Sequence, residues 1–265
     1  MFFTERPLIL PQAFDLEPDS ALLLFVMKAL DWKPTALIRT ATLQIFRYLT
    51  VEIWSFASAA VKWHLRIYRI VPGKFMEAGK IPLLLGGEHL VTLAAVRATA
   101  RKYPGLHIIH FDAHADLRDD YLGARLSHAC VIRRCHDILG DGRIHQFCIR
   151  SGEREEFRFA KEHTDFHPFT FEGLEETIQE LDREQVPVYF TIDLDCLDPS
   201  VFPGTGTPEA GGVSFLELLA AIRKVSELNI VGADVNELAP MLDPSGVSTA
   251  TACKVVRELL LAVAK

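Results

Sequence analysis

The sequence predicts an α/β fold built on a mostly parallel, doubly wound sheet. Three observations point there. From about Phe75 onward, short apolar runs alternate with segments of helical pattern, five times over. A polar cluster rich in Asp, Glu and His opens where four of these runs end. The composition, 49% hydrophobic and 24% charged over 265 residues, is that of an ordinary globular chain able to bury a sizeable core. Strand, helix, strand repetition implies parallel strands joined by right-handed crossovers.

The elements follow in order. Ile81–Leu85 (IPLLL) is the first expected strand, and Leu90–Lys102 its helix. His107–Phe111 (HIIHF) is the second, followed by a helix over Ser127–Ile138. Ile144–Ile149 (IHQFCI) is the third, with Phe171–Arg183 as the next helix. Pro187–Ile192 (PVYFTI) leads to a helix at Phe215–Leu228, and Asn229–Ala233 (NIVGA) to a closing helix at Ser248–Val263. The strand runs are short and largely apolar, as strands covered on both faces require, whereas the helical segments are too long for strands.

Residues 1–74 break the pattern. Gly73 is the first glycine, and all three tryptophans, Trp32, Trp54 and Trp63, precede it. Between Trp32 and Lys74 the only acid is Glu52, against Lys33, Arg39, Arg47, Lys62, Arg66, Arg69 and Lys74. Tight βα turns want Gly, Asn or Asp, so no βα unit can be built here with assurance. Two basic helices packed on the sheet, a partner-binding arm, or a stretch in a wrong reading frame all fit. The chain, 1–265, is expected to be one domain, with 1–74 atypical and 75–265 as the motif-bearing core.

A net charge of −7, from 28 basic and 35 acidic side chains, argues against a nucleic-acid partner. The apolar stretch Ala21–Met27 is far short of the ~20 residues that span a bilayer. Five scattered cysteines (Cys130, Cys135, Cys148, Cys196, Cys253) form no C-x-x-C pair and read as packing residues in a reducing compartment. The opening MFFTERPLIL lacks the pattern of a secretory signal. Cytoplasm is the expected location.

The chemistry sits after the strands, where doubly wound sheets place their ligands. Gly86-Gly87-Glu88-His89 follows the first, Asp112-Ala113-His114-Ala115-Asp116 the second, Asp193-Leu194-Asp195 the fourth and Asp234-Val235-Asn236-Glu237 the fifth. Carboxylates gathered on one rim repel and raise one another's pKa values unless cations compensate them. Imidazoles with several carboxylates make a hard, oxygen-rich set that suits Mn2+ better than a thiophilic ion. Six such side chains exceed one tetrahedral site but suffice for two metals roughly 3.5–4 Å apart, which share carboxylates and activate water. Taken singly, these motifs are bland: Asp-x-His is common, and Glu88 or Glu237 fits a helix N-terminus. Gly204-Thr205-Gly206-Thr207-Pro208 lacks the Lys-[Ser/Thr] of a P-loop, and no G-x-S-x-G elbow occurs.

GGEHLVT, FDAHADLRDDYLGARLSHA, TIDLDCLDPSVFPGTGTPEAGG and GADVNELAP resemble, in order and spacing, the motif set of the ureohydrolases, the arginases and agmatinases. IRSGEREE after the third strand, and SHA, look more like agmatinase than arginase. The resemblance covers roughly Phe75 to Lys265. It implies an arginase-like three-layer α/β/α fold with two Mn2+ per subunit. His89, Asp112, Asp116 and Asp193 would hold one ion, and Asp112, His114, Asp193 and Asp195 the other. Glu237 would pair with a substrate guanidinium, His128 would shuttle a proton, and Pro203–Pro208 would wall the site. The implied reaction is agmatine to putrescine plus urea, in a homo-oligomer whose partner is a small guanidino substrate. Alternatives are arginine or guanidinobutyrate as substrate, or a metal-binding but inactive homologue with a defective N-terminal region. A zinc deacetylase of related fold would need a tandem His-His pair, and the sequence has no adjacent histidines.

Overall fold

The computed structural model describes residues 75–264, together with Pro72, Gly73 and the short strand Val51–Glu52. The expectations for the rest of residues 1–74 lie outside the described residues.

In chain order the elements are β1 (Val51–Glu52), β2 (Leu83–Leu85), α1 (Val91–Lys102), β3 (His107–Phe111), α2 (Val131–Leu139), β4 (Ile144–Ile149), α3 (Arg154–His163), β5 (Asp165–Pro168), α4 (Leu174–Glu184), β6 (Val188–Asp193), α5 (Phe215–Val225), β7 (Ile230–Asn236) and α6 (Val247–Val263). The strands form one sheet in the order β1-β2-β7-β6-β3-β4-β5, and each pairing in it is parallel.

Side chains alternate across this sheet as a period of two demands. Ile109, Phe111, Val188, Phe190 and Ile192 join one buried cluster with Leu181, Ile222 and Val255 of α4, α5 and α6. Ile108 and Tyr189 join the other with Leu93, Ile132 and Ala160 of α1, α2 and α3. Two cores back to back on one sheet make the three layers.

The chain leaves β3 toward β4 and β5, but leaves β6 toward β7. Neighbours β3 and β6 are therefore where the winding reverses. Loops diverging from their carboxyl ends leave a crevice, and ligands of doubly wound sheets bind there. Phe111 pairs with Ile192 in register, so Asp112 and Asp193, one residue beyond each, emerge side by side.

Three local readings are corrected. The segment expected as a helix over 127–138 opens with a 3-10 turn at His128–Cys130 before α2 begins. The fifth strand runs on to Asn236, which leaves Asp234 inside the sheet. Residues 150–170, read without an element, hold α3 and the edge strand β5. The α3 start carries a reciprocal capping box between Glu153 and Glu156. β5 is DFHP, pairs on one side only and has no apolar alternation to betray it.

Candidate metal centre

β2 delivers His89 through Gly86-Gly87. At Gly86 a Cβ would stand 2.1 Å from Asn236 Oδ1, so only glycine lets the chain pass this close to β7. The His89 ring is then fixed by Nε2, 2.9 Å from Thr191 Oγ1. Its backbone N–H donates to Glu237 Oε1 at 2.8 Å, and Glu237 N–H donates to Gly87 O at 2.8 Å.

β3 delivers Asp112, fully buried. One carboxylate oxygen accepts the His114 N–H at 2.6 Å, and the other lies 2.8 Å from His110 Nε2. Two residues past His114, Asp116 takes a left-handed φ of 54°, and its carbonyl accepts the Ile132 and Arg133 N–H groups at the start of α2. The next residue, Leu117, donates its N–H to buried Glu156 Oε1 at 3.0 Å, so α3 braces this loop. β6 ends at Asp193, whose Oδ1 accepts the Asp195 N–H at 2.9 Å, while Asp195 Oδ1 accepts the Ala113 N–H at 3.1 Å.

The remaining ligand-type atoms converge. His89 Nδ1 lies 3.1 Å from Asp112 Oδ2, 3.2 Å from Asp116 Oδ2 and 3.3 Å from Asp193 Oδ2, yet makes no hydrogen bond to any of them. His114 Nδ1 lies 3.0 Å from Asp195 Oδ2 and 3.5 Å from Asp112 Oδ1, and Asp195 Oδ2 is likewise without a hydrogen bond. The structure thus brings together His89, Asp112, His114, Asp116, Asp193 and Asp195. Asp234 does not join them: it accepts from Thr92, Tyr189, Thr191 and Asn236 within the sheet.

The electrostatics of this cluster demand positive charge. Burial pushes Asp193 well above the usual carboxylate range, helped by the charges of Asp195 and Asp112. Burial and Asp112 push Asp195 up to about 6. Burial opposes a charge on His114, but Asp112 and Asp195 outweigh it and raise the imidazole to about 12. Against the same penalty, Asp112, Asp116 and Asp193 raise His89. Protons are one answer to that demand, and divalent cations are another. Buried ring and carboxylate atoms that face one another without hydrogen bonds, in an imidazole-and-oxygen donor set, fit hard divalent ions.

Glu237 flanks the cluster. It too has positive φ, 64°, and burial pushes its carboxyl up to about 7. His128 stands apart, 44% exposed, with Nδ1 3.5 Å from Glu88 Oε1 and its ring edge-on to Tyr121. The Glu88 carboxylate raises its pKa. On the Pro203–Pro208 stretch, Thr205 is buried and Gly204 N–H donates to Ser248 Oγ at 2.8 Å.

Several residues to which the motifs assign no role complete the surroundings. His110 backs Asp112 and is itself 3.1 Å from Gln146 Nε2. Arg150 donates to the carbonyls of Asp195 and Glu209 at 2.8 Å each, of Ala210 at 3.2 Å and of Cys196 at 3.3 Å, which pins the Asp195 turn to the 209–210 loop. Glu209 Oε1 accepts the Ser151 hydroxyl at 2.9 Å and lies 3.9 Å from His114 Nε2, with 43% of its side chain exposed. A lone inward-facing Arg or a loop Glu carries no periodic signal. Arg150 falls in the IRSGEREE segment and Glu209 in TIDLDCLDPSVFPGTGTPEAGG, but neither motif assigns them a role. Cys130, Cys135, Cys148 and Cys196 are buried and unbridged, and Cys253 is half-buried.

Comparison with known proteins places this arrangement. The model described as Arginase family matches residues 25–262. The agmatinase of Bacillus subtilis (strain 168) is 48% identical over 193 residues, which cover 72% of this chain and 66% of that protein. The agmatinase of Bacillus anthracis is 49% identical over 191 residues, 71% of this chain and 66% of its own. The chain therefore spans just under two thirds of the length of these curated relatives. The solved agmatine ureohydrolase of Thermoplasma volcanium superposes with a TM-score of 0.71 at 31% identity, covering 85% of this chain and 83% of that one.

Proposed function

This chain belongs to the arginase family, and from that premise we propose that it is a binuclear manganese hydrolase that converts agmatine and water to putrescine and urea. The observation that carries this reading is the pairing of two features. His89 Nδ1 and Asp195 Oδ2 are buried among ligand-type atoms without hydrogen bonds, and the Glu237 carboxylate is latched to the backbone of His89 itself.

His89, Asp112, Asp116 and Asp193 would hold one Mn2+, and Asp112, His114, Asp193 and Asp195 the second. When bound, the ion pair supplies a strong nucleophile at neutral pH by lowering the pKa of coordinated water. The protein's own residues do the rest. A guanidinium is a planar, protonated, resonance-stabilised cation, and Glu237 matches it with paired charge-assisted hydrogen bonds that fix its carbon over the cluster. A bound cation returns the buried Glu237 carboxyl to its ionised form. The oxygen of a water would add to the guanidinium carbon, and the bond from that carbon to the alkyl nitrogen would break. This nitrogen would take up both protons of the water, leaving urea and an ammonium and needing one proton relayed from the rim. His128, exposed at the rim and held toward protonation by Glu88, would deliver it.

Glu209 favours agmatine over its relatives. Its half-exposed carboxylate beside His114 would attract the ammonium at the far end of agmatine and repel the carboxylate of guanidinobutyrate, while arginine would offer it an ammonium beside a carboxylate. Family membership further supports one catalytic domain over 1–265, with its motifs in 75–265, working as a homo-oligomer. The unbridged cysteines support the cytoplasm. Among the described residues no helix is long and apolar enough to cross a membrane.

The test is urea release by the Mn2+-loaded chain from agmatine, guanidinobutyrate and arginine. Agmatine should be the preferred substrate. Absence of urea from all three, with metal content verified, overturns the reading.

A further inference from the structure

A second group of metal-capable side chains lies away from the cluster described above. His136 sits in the last turn of α2, His163 at the end of α3, and Asp141 in the Gly140-Asp141-Gly142 turn that leaves α2. Gly140 and Gly142 have φ of 81° and 69°, and Gly142 N–H donates to the His163 carbonyl at 3.1 Å, so the turn folds back onto the end of α3. Asp141 Oδ1 thereby comes 2.7 Å from His136 Nε2 and 2.8 Å from His163 Nδ1. All three ligand atoms lie within 4.8 Å of one another.

We propose that His136, Asp141 and His163 form a separate site for a borderline divalent ion of the Zn2+ class, which ties the end of α2 to the end of α3. This inference is independent of the proposed hydrolase activity.

Two imidazole nitrogens and one carboxylate oxygen, with an outer position open to water, are a recurrent zinc donor set. Tetrahedral ligands at about 2.0–2.1 Å stand roughly 3.3 Å apart, so each Asp141–histidine contact need lengthen by only about half an ångström, and the two nitrogens already lie within 4.8 Å of each other. The rings are already held. Phe159 packs against His136 at 4.8 Å and against His163 at 4.2 Å between centroids, and the Arg133 guanidinium covers the Phe159 ring at 3.8 Å. Glu162 Oε2 lies 3.9 Å from His163 Nε2, the ring nitrogen that would face away from the ion. Beyond hydrogen-bond distance as it stands, that carboxylate would orient the ligating ring once it closes by about an ångström. Access is open, since Asp141 is 69% and His163 30% exposed. Ligation uses the two ring nitrogens, His136 Nε2 and His163 Nδ1, whose N–H groups now donate to Asp141. The proton shared at each must leave or move to the other ring nitrogen, and binding weakens in acid.

The experiment counts zinc. The full chain and its Asp141→Asn and His163→Gln variants are stripped with a chelator and dialysed against Zn2+, and bound metal is measured per chain. Each variant should hold one equivalent fewer than the parent, whereas Asp193→Asn should keep this equivalent and lose zinc from the other cluster. Equal zinc in the parent and both surface variants overturns the proposal. Should a variant fail to fold, zinc-edge anomalous scattering from crystals of the parent decides it: a peak between His136 and His163 supports the site, and its absence at saturating Zn2+ rejects it.

Discussion

The N–H of His89 donates to Glu237 Oε1 at 2.8 Å across 148 positions of sequence. One hydrogen bond thus couples the backbone of a proposed metal ligand to the carboxylate proposed to read the substrate's cation. Any shift of β2 against β7 strains this bond and disturbs both groups at once.

Glu237→Gln separates charge from shape. The amide oxygen can still accept the His89 N–H, so the fold and the metal content should persist. Loss of a charge-assisted pair with the guanidinium amounts to about 1.5–3 kcal/mol. kcat/KM for agmatine should therefore fall roughly 10- to 150-fold. Steady-state kinetics alongside metal analysis check this; unchanged kcat/KM removes Glu237 from the substrate site.

Glu209→Gln should act on KM rather than on kcat, because Glu209 would touch the far end of the substrate. A half-exposed ion pair contributes up to about 1 kcal/mol, or roughly fivefold in KM for agmatine. The relative rate with guanidinobutyrate should rise at the same time. A substrate panel showing no change in this ratio contradicts the assignment.

Mn2+ should stabilise the folded chain by linkage. At an Mn2+ concentration a hundredfold above Kd, one site contributes about 2.7 kcal/mol. For a chain of this size that is a Tm gain of roughly 5–10 °C. A chelator should reverse the gain, and Asp193→Asn should abolish most of it, since that residue would serve both ions. Thermal melts with and without Mn2+ test both statements.

His107 sets an acid-side stability limit far from the cluster. Burial, reinforced by His145 and Arg143, lowers its pKa to about 4, and its Nδ1 lies 3.0 Å from His145 Nε2. The unfolded chain takes up this proton near the ordinary histidine value of about 6.5. Between those values the unfolded state binds more protons, so stability falls as pH drops from about 6.5 to about 4. Below that window Asp165, held far under the usual carboxylate range against its burial by His145 and His167, sustains the decline, because the unfolded chain takes up the proton while the folded carboxylate stays ionised. Tm measured across pH 4–7 should show a shallower slope for His107→Asn than for the parent. Parallel slopes refute the assignment.

Much of the site was legible because its signals are local. Asp-x-His-x-Asp after HIIHF and Asp-x-Asp after PVYFTI combine a strand's apolar run with ligand residues at its end, and each can be read within about ten residues. α3 and β5 were not legible in that way. β5 is polar and paired on one side, and α3 announces itself only through the capping pair Glu153 and Glu156. Arg150 and Glu209 escaped notice because their partners are carbonyls and a hydroxyl about 45 to 60 residues away.

The sequence by itself determined the alternation of strand and helix, the donor chemistry of the four strand-end motifs and the mild acidity of the chain. Tertiary structure alone decided that β3 and β6 are neighbours in register, which is how Asp112 and Asp193, paired by the resemblance, come to emerge side by side. It also decided that Asp234 lies within the sheet while Glu237 reaches His89. The physical reason is that residue type and period are properties of short segments. Strand order, and the burial that shifts these carboxyl groups, come from packing two hydrophobic layers on a common sheet.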